Sequence, residues 1–474
     1  MTDRAPVLVW FRDDLRLHDN PALTAAARDG APLVCLHVRD DTGRRPPGGA
    51  SRWWLAQSLR ALDAMLGRHR QRLMLRSGAA ATVVPALARE TGAVTVHWNA
   101  DAAGGGIDET VTTALRAAGV AATVHPPNLL AGTTTVTTRD GGPLRVFTPF
   151  WRKLRGLAPP RRPLAVPRLA PGPAVATETL ADWALEPTRP DWAGGLRNVW
   201  TPGEASARQR LADFLATAAH YARDRDRPDR PATSRLSPHL RFGEISAAEI
   251  FHAAQFATDN GEAPARDIEK FHSELGWRDF SYSLLRHNPD LAARNLQPRF
   301  DAFPWRDDEA NLRAWQRGRT GYPIVDAGMR ELWTTGWMHN RVRMIVASFL
   351  VKHLLIDWRH GERWFWDTLV DADPANNPAS WQWVAGCGAD AAPYFRIFNP
   401  VLQGETFDPD GDYVRRWVPE LARLRADAIH APWTAAPLDL AEAGVALGKD
   451  YPEPIVDHAA ARARALDAFR SIRS

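Results

Sequence analysis

The stretch VLVWFRDDLRLHDNPAL, residues 7–23, is an apolar run, a charged loop and a helix start in succession. Val7–Phe11 has the β-branched and aromatic make-up of a buried strand. Four similar runs follow, at Leu33–Val38, Leu73–Arg76, Val94–Trp98 and Ala122–His125. Helical patterns lie between them, at Ser51–Met65, Ala80–Thr91 and Asp108–Ala118. Such alternation predicts a parallel sheet covered by helices. The first strand runs into FRDDLRLHDNPAL, not GxGxxG, so the dinucleotide fingerprint is absent. Gly104–Gly106 reads as a loop.

At 474 residues the chain exceeds one ordinary core. Residues 1–130 are expected to form the α/β domain, Rossmann-like in its alternation, and residues 131–200 a connector. Within that connector APPRRPLAVPRLAPGP, Ala158–Pro173, is proline-rich and expected to run extended, without regular structure. Residues 201–474 read as all-helical, with patterns at Glu204–Tyr221, Ala247–Phe256, Asp267–Leu285, Ile324–Thr335, Val342–Asp357 and Asp457–Ile472.

Hydrophobic content of 45%, charge of 24% and a net charge of +4 describe a globular, mildly basic protein, compatible with a nucleic-acid partner. The cationic side chains are arginines, with Lys153, Lys270, Lys352 and Lys449 the exceptions. Cys35 and Cys387 form neither a disulfide framework nor a metal spacing, which fits a reducing cytoplasm. The N-terminus reads as a strand, not a signal peptide. The longest apolar run, Val342–Trp358, is broken by Arg343, Lys352 and His353, so no membrane span is expected.

Twenty tryptophans are the compositional oddity, and they concentrate after residue 270. DADPANNPASWQW, residues 371–383, holds two of them beside Asp371, Asp373, Asn376 and Asn377. On a helix, Trp381 and Trp383 point roughly 200° apart. They are core on two sides or serve two sites, and the polar neighbours need partners if buried.

Three further segments carry candidate chemistry. Thr233–Ser237, TSRLS, is a helix cap or a phosphate-holding loop of hydroxyl and N–H donors. Glu274, Trp277 and Arg278 share one helical face. They are a Glu274–Arg278 surface pair beside a packed ring, or a ring and carboxylate that read a base-like ligand. In HNRVRM, His339–Met344, Asn340 and Met344 share a face, and Arg343 is a candidate partner for Asp371 or Asp373.

Together VWFRDDLRLHDNPAL (9–23), VFTPFWRKL (146–154), TSRLSPHLRFGEIS (233–246), ELGWRDFSY (274–282), the run 315–365, DADPANNPASWQW and APYFRIFNPVLQGETFD (392–408) resemble the photolyase/cryptochrome family. The match is collinear along the chain and is most like microbial class I cyclobutane pyrimidine dimer photolyases. The resemblance implies an α/β domain, a connector and a helical domain that binds FAD. It assigns FAD contacts to Tyr221, Thr233, Ser234, Arg235, Leu236, Ser237, Phe271, Arg343, Asp371, Asp373 and Asn377, with Arg343 pairing Asp371 and Asn377 facing flavin N5. It assigns the lesion to Glu274, Trp277, Asn340, Met344 and Trp383, and flanking DNA contacts to Arg225, Arg278, Arg341 and Gln403. Trp381, Trp358 and Trp305 become an electron chain to the flavin. The implied activity is light-driven repair of pyrimidine dimers in single- or double-stranded DNA by a monomeric enzyme.

For a second, antenna chromophore the resemblance offers methenyltetrahydrofolate or 8-hydroxy-5-deazaflavin. The deazaflavin is preferred because the loop RDDTGRRPPGGASRWW is short. Asp108 and Glu109 match a folate-contacting pair, or are simply acids at a helix start. A cryptochrome-like photoreceptor and a (6-4) photolyase are the rival functions. The first is opposed by the joint presence of Glu274, Trp277, Asn377 and Trp383. The second expects histidines where this chain has HNRVRM.

Overall fold

The computed structural model describes residues 4–42, 45–391 and 395–472. Two compact units divide the chain: one runs to residue 219 and takes back residues 234–289, the other holds residues 220–233 and everything from 290 onward.

The first unit contains a parallel sheet of β1 (Val7–Phe11), β2 (Pro32–Arg39), β3 (Leu73–Ser77), β4 (Thr95–Asn99) and β5 (Ala121–His125), in the order β3-β2-β1-β4-β5. All five strands were legible in the sequence to within a residue. β1 sits centrally, with Val7 opposite Leu33 on one side and Thr95 on the other. Leu8 to Phe11 are all buried, which is why the strand reads as a continuous apolar run and not as an alternation. Helices α1 (Pro21–Ala27), α2 (Gly49–Arg68), α3 (Ala80–Thr91) and α4 (Ile107–Ala117) alternate with the strands. Leu8, Trp10, Leu36, Val96 and Trp98 pack with Val84, Leu87, Val111 and Leu115 in one apolar cluster.

The strand order reverses direction between β1 and β4, the position where open α/β sheets present a ligand crevice. Here the chain fills that position with its own side chains. Arg12 from the loop after β1 pairs with Asp101 at 3.4 Å and with Asp108 at 2.5 Å. Trp98 donates to Asp108 at 2.9 Å, and Asn20 caps α1 while accepting from Asn99. The RDDLRLHDN loop is therefore a structural hub: buried Arg16 also donates to the carbonyls of Asp19 and Gly243.

One expectation is corrected in the connector. Phe147–Arg155 form helix α5 ahead of the proline-rich stretch, and Ala170–Pro171 form a short strand, β6, within that stretch, which was expected to lack regular structure. β6 pairs with Pro32 and Leu33, a part of β2 left open because β3 begins only opposite Cys35. An edge position of this kind tolerates proline. Gly172 follows, so near Leu33 that a Cβ would lie 2.0 Å from its carbonyl oxygen.

The second unit is helical, around a core that includes Phe300, Trp315, Trp358, Val346 and Tyr413. The expected helix Val342–Asp357 is shorter than its pattern. It runs over Asn340–Ser348, widens into a π turn at Phe349–His353, and stops where Leu355 takes φ +55. Asp357 caps the next helix, Trp358–Thr368, by accepting from the N–H of Arg359. The pattern Glu204–Tyr221 likewise breaks: its helix ends at Ala216, and His220, at φ +73, starts a new turn at Tyr221–Asp224. Among the described residues no helix is long and apolar enough to cross a membrane.

Candidate functional site

In the second unit, Asp371–Trp383 is a loop leading into the helix Asn376–Ala385. Asp373 starts the helix. Its Oδ1 accepts from the backbone N–H groups of Ala375 (2.8 Å) and Asn376 (2.7 Å) and from the Asn376 side chain (2.9 Å). A carboxylate there satisfies orphan donors and complements the helix dipole. Asn376, which no motif in the sequence assigned a role, thus fixes Asp373. Asp371 is buried and accepts from Arg343 at 2.8 Å, while Arg343 also donates to the Met338 carbonyl. Burial of that carboxylate requires such a partner.

Asn377 is buried one residue further on. Its Nδ2 donates to the carboxylate of Glu362 (2.9 Å) and to the Glu362 carbonyl (3.1 Å), which leaves Oδ1 as the acceptor of the amide. Trp381, 2% exposed, sits edge-on to Phe365 and Trp315. Gly361 makes room for it: a Cβ there would meet the indole at 2.0 Å. Trp383 is only half-buried, donates to the Asp390 carbonyl, and lines a cavity of about 240 Å³ with Lys352, Phe395 and Phe398. Burial pushes the Lys352 ammonium down to about 7. Trp358 is fully buried, its Nε1 on Asn295 at 2.9 Å, and Trp305 is half-buried beside Phe303.

The HNRVRM run opens the helix Asn340–Ser348, with Asn340 exposed and Met344 packed against the helical core. His339 is its cap, accepting from the N–H of Arg341, and burial holds the imidazole neutral with a pKa of about 4. Arg341 pairs with Asp226 at 2.9 Å. Arg225 lies over the ring of buried Tyr221. Gln403 is half-buried on the helix Pro400–Phe407. Residues 392–394, which open the APYFRIFNP motif, lie outside the described residues.

In the first unit, the helix Ala265–His287 carries Phe271, Glu274, Trp277 and Arg278. Phe271 is core, 4.6 Å from Phe214. Glu274, Trp277 and Arg278 are the half-buried face. Glu274 pairs with Lys270 at 3.1 Å, and Arg278 donates to the Asn128 carbonyl at 2.6 Å. Trp277 stacks on Phe147 at 3.6 Å and 9°, and Phe147 in turn lies parallel to Trp151. Trp151 rests on Gly276, where a Cβ would come within 2.5 Å of its ring. In the TSRLS segment Arg235 takes φ +52 before helical Leu236, the alternation that turns successive N–H groups to one side. Ser234 Oγ accepts from the Leu236 N–H, and the Arg235 guanidinium lies over Trp200. Ser237 is exposed at the start of the short helix Ser237–Arg241, and Thr233 belongs to the second unit. Asp108 is committed to Arg12, Trp98 and the Asp101 N–H, while Glu109 is exposed.

Sequence reasoning missed Glu362, Phe147 and Asp226. Glu362 had a signal: Trp358, Gly361, Glu362 and Phe365 form the buried stripe of one helix, and a carboxylate on an apolar stripe needs a partner. Phe147 and Asp226 had none, because their partners are distant in the chain.

A chain that joins an α/β unit without a dinucleotide fingerprint to a helical unit with a buried carboxylate–arginine–amide cluster has direct counterparts among known proteins. Residues 7–168 match the model for DNA photolyase, and residues 271–471 that for the FAD binding domain of DNA photolyase. The deoxyribodipyrimidine photo-lyase of Agrobacterium fabrum is 52% identical over 99% of this chain and 98% of its own length. Cryptochrome-1 of Arabidopsis thaliana is 38% identical, over 98% of this chain and 70% of its own. The crystal structure of a bacterial class III photolyase from Agrobacterium tumefaciens superposes with a TM-score of 0.96 at 52% identity, covering 100% of this chain and 98% of that one. The chain belongs to the DNA photolyase family. The expectation of class I finds no support here, since that similar structure is of class III.

Proposed function

We propose that this protein is a light-dependent photolyase that splits cyclobutane pyrimidine dimers in DNA. One observation carries the reading within the family. The helix Asn376–Ala385 buries Trp381 and leaves Trp383 half-exposed, so it offers one indole to the interior and one to an incoming ligand. The 52% identical photo-lyase supports the same activity.

FAD is the cofactor in this reading, held by Tyr221, Thr233–Ser237, Phe271, Arg343, Asp371, Asp373 and Asn377. The donor set fits it: a guanidinium-paired carboxylate, a second buried carboxylate and an amide with its Oδ1 open suit the polar edge of an isoalloxazine. Bound and reduced, FAD supplies the photoexcited electron for ring splitting. Trp381, Trp358 and half-buried Trp305 would form the path by which electrons reach that cofactor. Glu274, Trp277, Asn340, Met344 and Trp383 receive the dimer, which must leave the duplex stack to be reached. Arg225, Arg278, Arg341 and Gln403 contact the flanking backbone, which fixes register without reading sequence. Asp108 is spent inside its own unit, so a folate contact through the Asp108–Glu109 pair would rest on Glu109 alone.

The test is illumination of the purified, photoreduced protein with oligonucleotides carrying a single cyclobutane or (6-4) lesion. Light-dependent loss of the cyclobutane dimer alone is the expected result. Repair of the (6-4) lesion, or of neither, would replace this reading with one of the rivals. The absorption spectrum of the same preparation identifies the antenna as deazaflavin or folate.

A further inference from the structure

The segment YARDRDRPDR, residues 221–230, looks like a bare basic arm, but its arginines are answered by its aspartates. Arg223 and Arg230 pair with Asp224, and Arg227 pairs with Asp229. Asp226 differs from the other two, because it reaches a residue far along the chain. Its Oδ2 takes Arg341 at 2.9 Å, and its Oδ1 lies 3.8 Å from Arg225 Nε. One carboxylate thus spans two guanidiniums, one per oxygen, as the two free oxygens of a phosphodiester do.

The exposures give this arrangement a direction. The Arg225 and Arg341 side chains are 11% and 18% exposed, whereas Asp226 is 36% exposed. Arg341 is backed by the ring of Phe407 at 4.4 Å, so its guanidinium plane is held from behind. His339, whose neighbours are Asp226, Arg225 and Arg341, is neutral at physiological pH. Counted over Arg225, Arg341, Asp226 and His339 alone, the formal charge is one positive with the Asp226 carboxylate and two without it.

We propose that Asp226 sets damage selectivity by acting as an internal stand-in for a backbone phosphate. This rests on the reading that Arg225 and Arg341 face DNA. The carboxylate holds both guanidiniums in phosphate-binding geometry. It also cancels half of their attraction for undamaged duplex. A phosphate brought to this point by a distorted, extruded step replaces it, while a passing regular backbone does not.

The experiment is a salt titration of binding, comparing undamaged and dimer-containing duplex, on the FAD-loaded protein. Asp226→Asn is expected to tighten undamaged duplex roughly three- to tenfold and to steepen its salt dependence by about one counterion. Dimer-containing duplex gains less, so discrimination falls. Asp226→Glu keeps the charge and is expected to keep wild-type discrimination. Asp226→Asn combined with Arg341→Gln is expected to lose the gain. Unchanged or weakened binding of undamaged duplex by Asp226→Asn, or an equal gain in Asp226→Glu, overturns the proposal. Should Asp226→Asn fail to fold, as judged by FAD content, loss of discrimination in Asp226→Glu overturns it alone. If Arg341→Gln by itself moves neither affinity nor salt slope, the DNA-facing reading fails instead, and the proposal with it.

Discussion

The side-chain amide of Asn377 donates to both the carboxylate and the carbonyl of Glu362, at 2.9 and 3.1 Å, across two helices. The contact fixes which end of the amide is left over. With Nδ2 spent, Oδ1 is the end available to an N–H donor, which in the proposed function is that of a reduced flavin. Glu362 is 1% exposed, so bulk solvent does not compete for this contact.

Glu362→Ala removes one acceptor from a buried donor while leaving the carbonyl. Such a loss costs about 1–3 kcal/mol. We expect a lower melting temperature together with a reduced FAD-to-protein ratio after gel filtration. Glu362→Gln keeps an acceptor and should retain more flavin than the alanine variant.

Gly361→Ala places a Cβ 2.0 Å from the Trp381 ring, and the helix backbone cannot yield as a flexible side chain would. Overpacking of this kind costs about 1–3 kcal/mol. Because the displaced ring is the buried tryptophan of the proposed electron path, photoreduction of oxidised FAD should slow as well. Stopped-flow absorbance under blue light measures it.

Phe147→Ala removes the ring stacked 3.6 Å behind Trp277. Large-to-small changes at buried phenylalanines cost about 3–5 kcal/mol, and the lower end is expected because Trp277 can relax into the gap. Binding of a dimer-containing oligonucleotide should weaken more than binding of an undamaged one, as read by fluorescence anisotropy.

Asp279 gives a pH dependence. It is buried on the Ala265–His287 helix, accepts from the N–H groups of Leu130 and Ala131, and has its pKa pushed up to about 7 by desolvation. An acid raised on folding binds its proton more tightly in the native state. Its effect is therefore absent below the unfolded value of 3.8 and costs stability increasingly as pH rises to about 7. Asp279→Asn should gain on the wild type in melting temperature between pH 4 and 7, and the difference should then level off. A constant difference across that range would exclude the assignment.

The sequence by itself determined the alternation of strands and helices, the absence of a phosphate-binding glycine loop and the opposed directions of Trp381 and Trp383. Each is a matter of periodicity or of residues within a few positions, so local chain geometry dictates it. The collinear motifs carried the family and the buried pairing of Arg343 with Asp371. Local pattern failed where the chain stops a helix early, as at Leu355, and where Ala170–Pro171 joins a sheet edge left open by a strand formed long before it. Only the tertiary structure decided that Glu362 orients Asn377, that Phe147 backs Trp277 and that Asp226 bridges Arg225 and Arg341. The last two join residues separated by more than a hundred positions. Such partners are chosen by packing and by the demand that each buried charge and donor be met, and neither has a period along the chain.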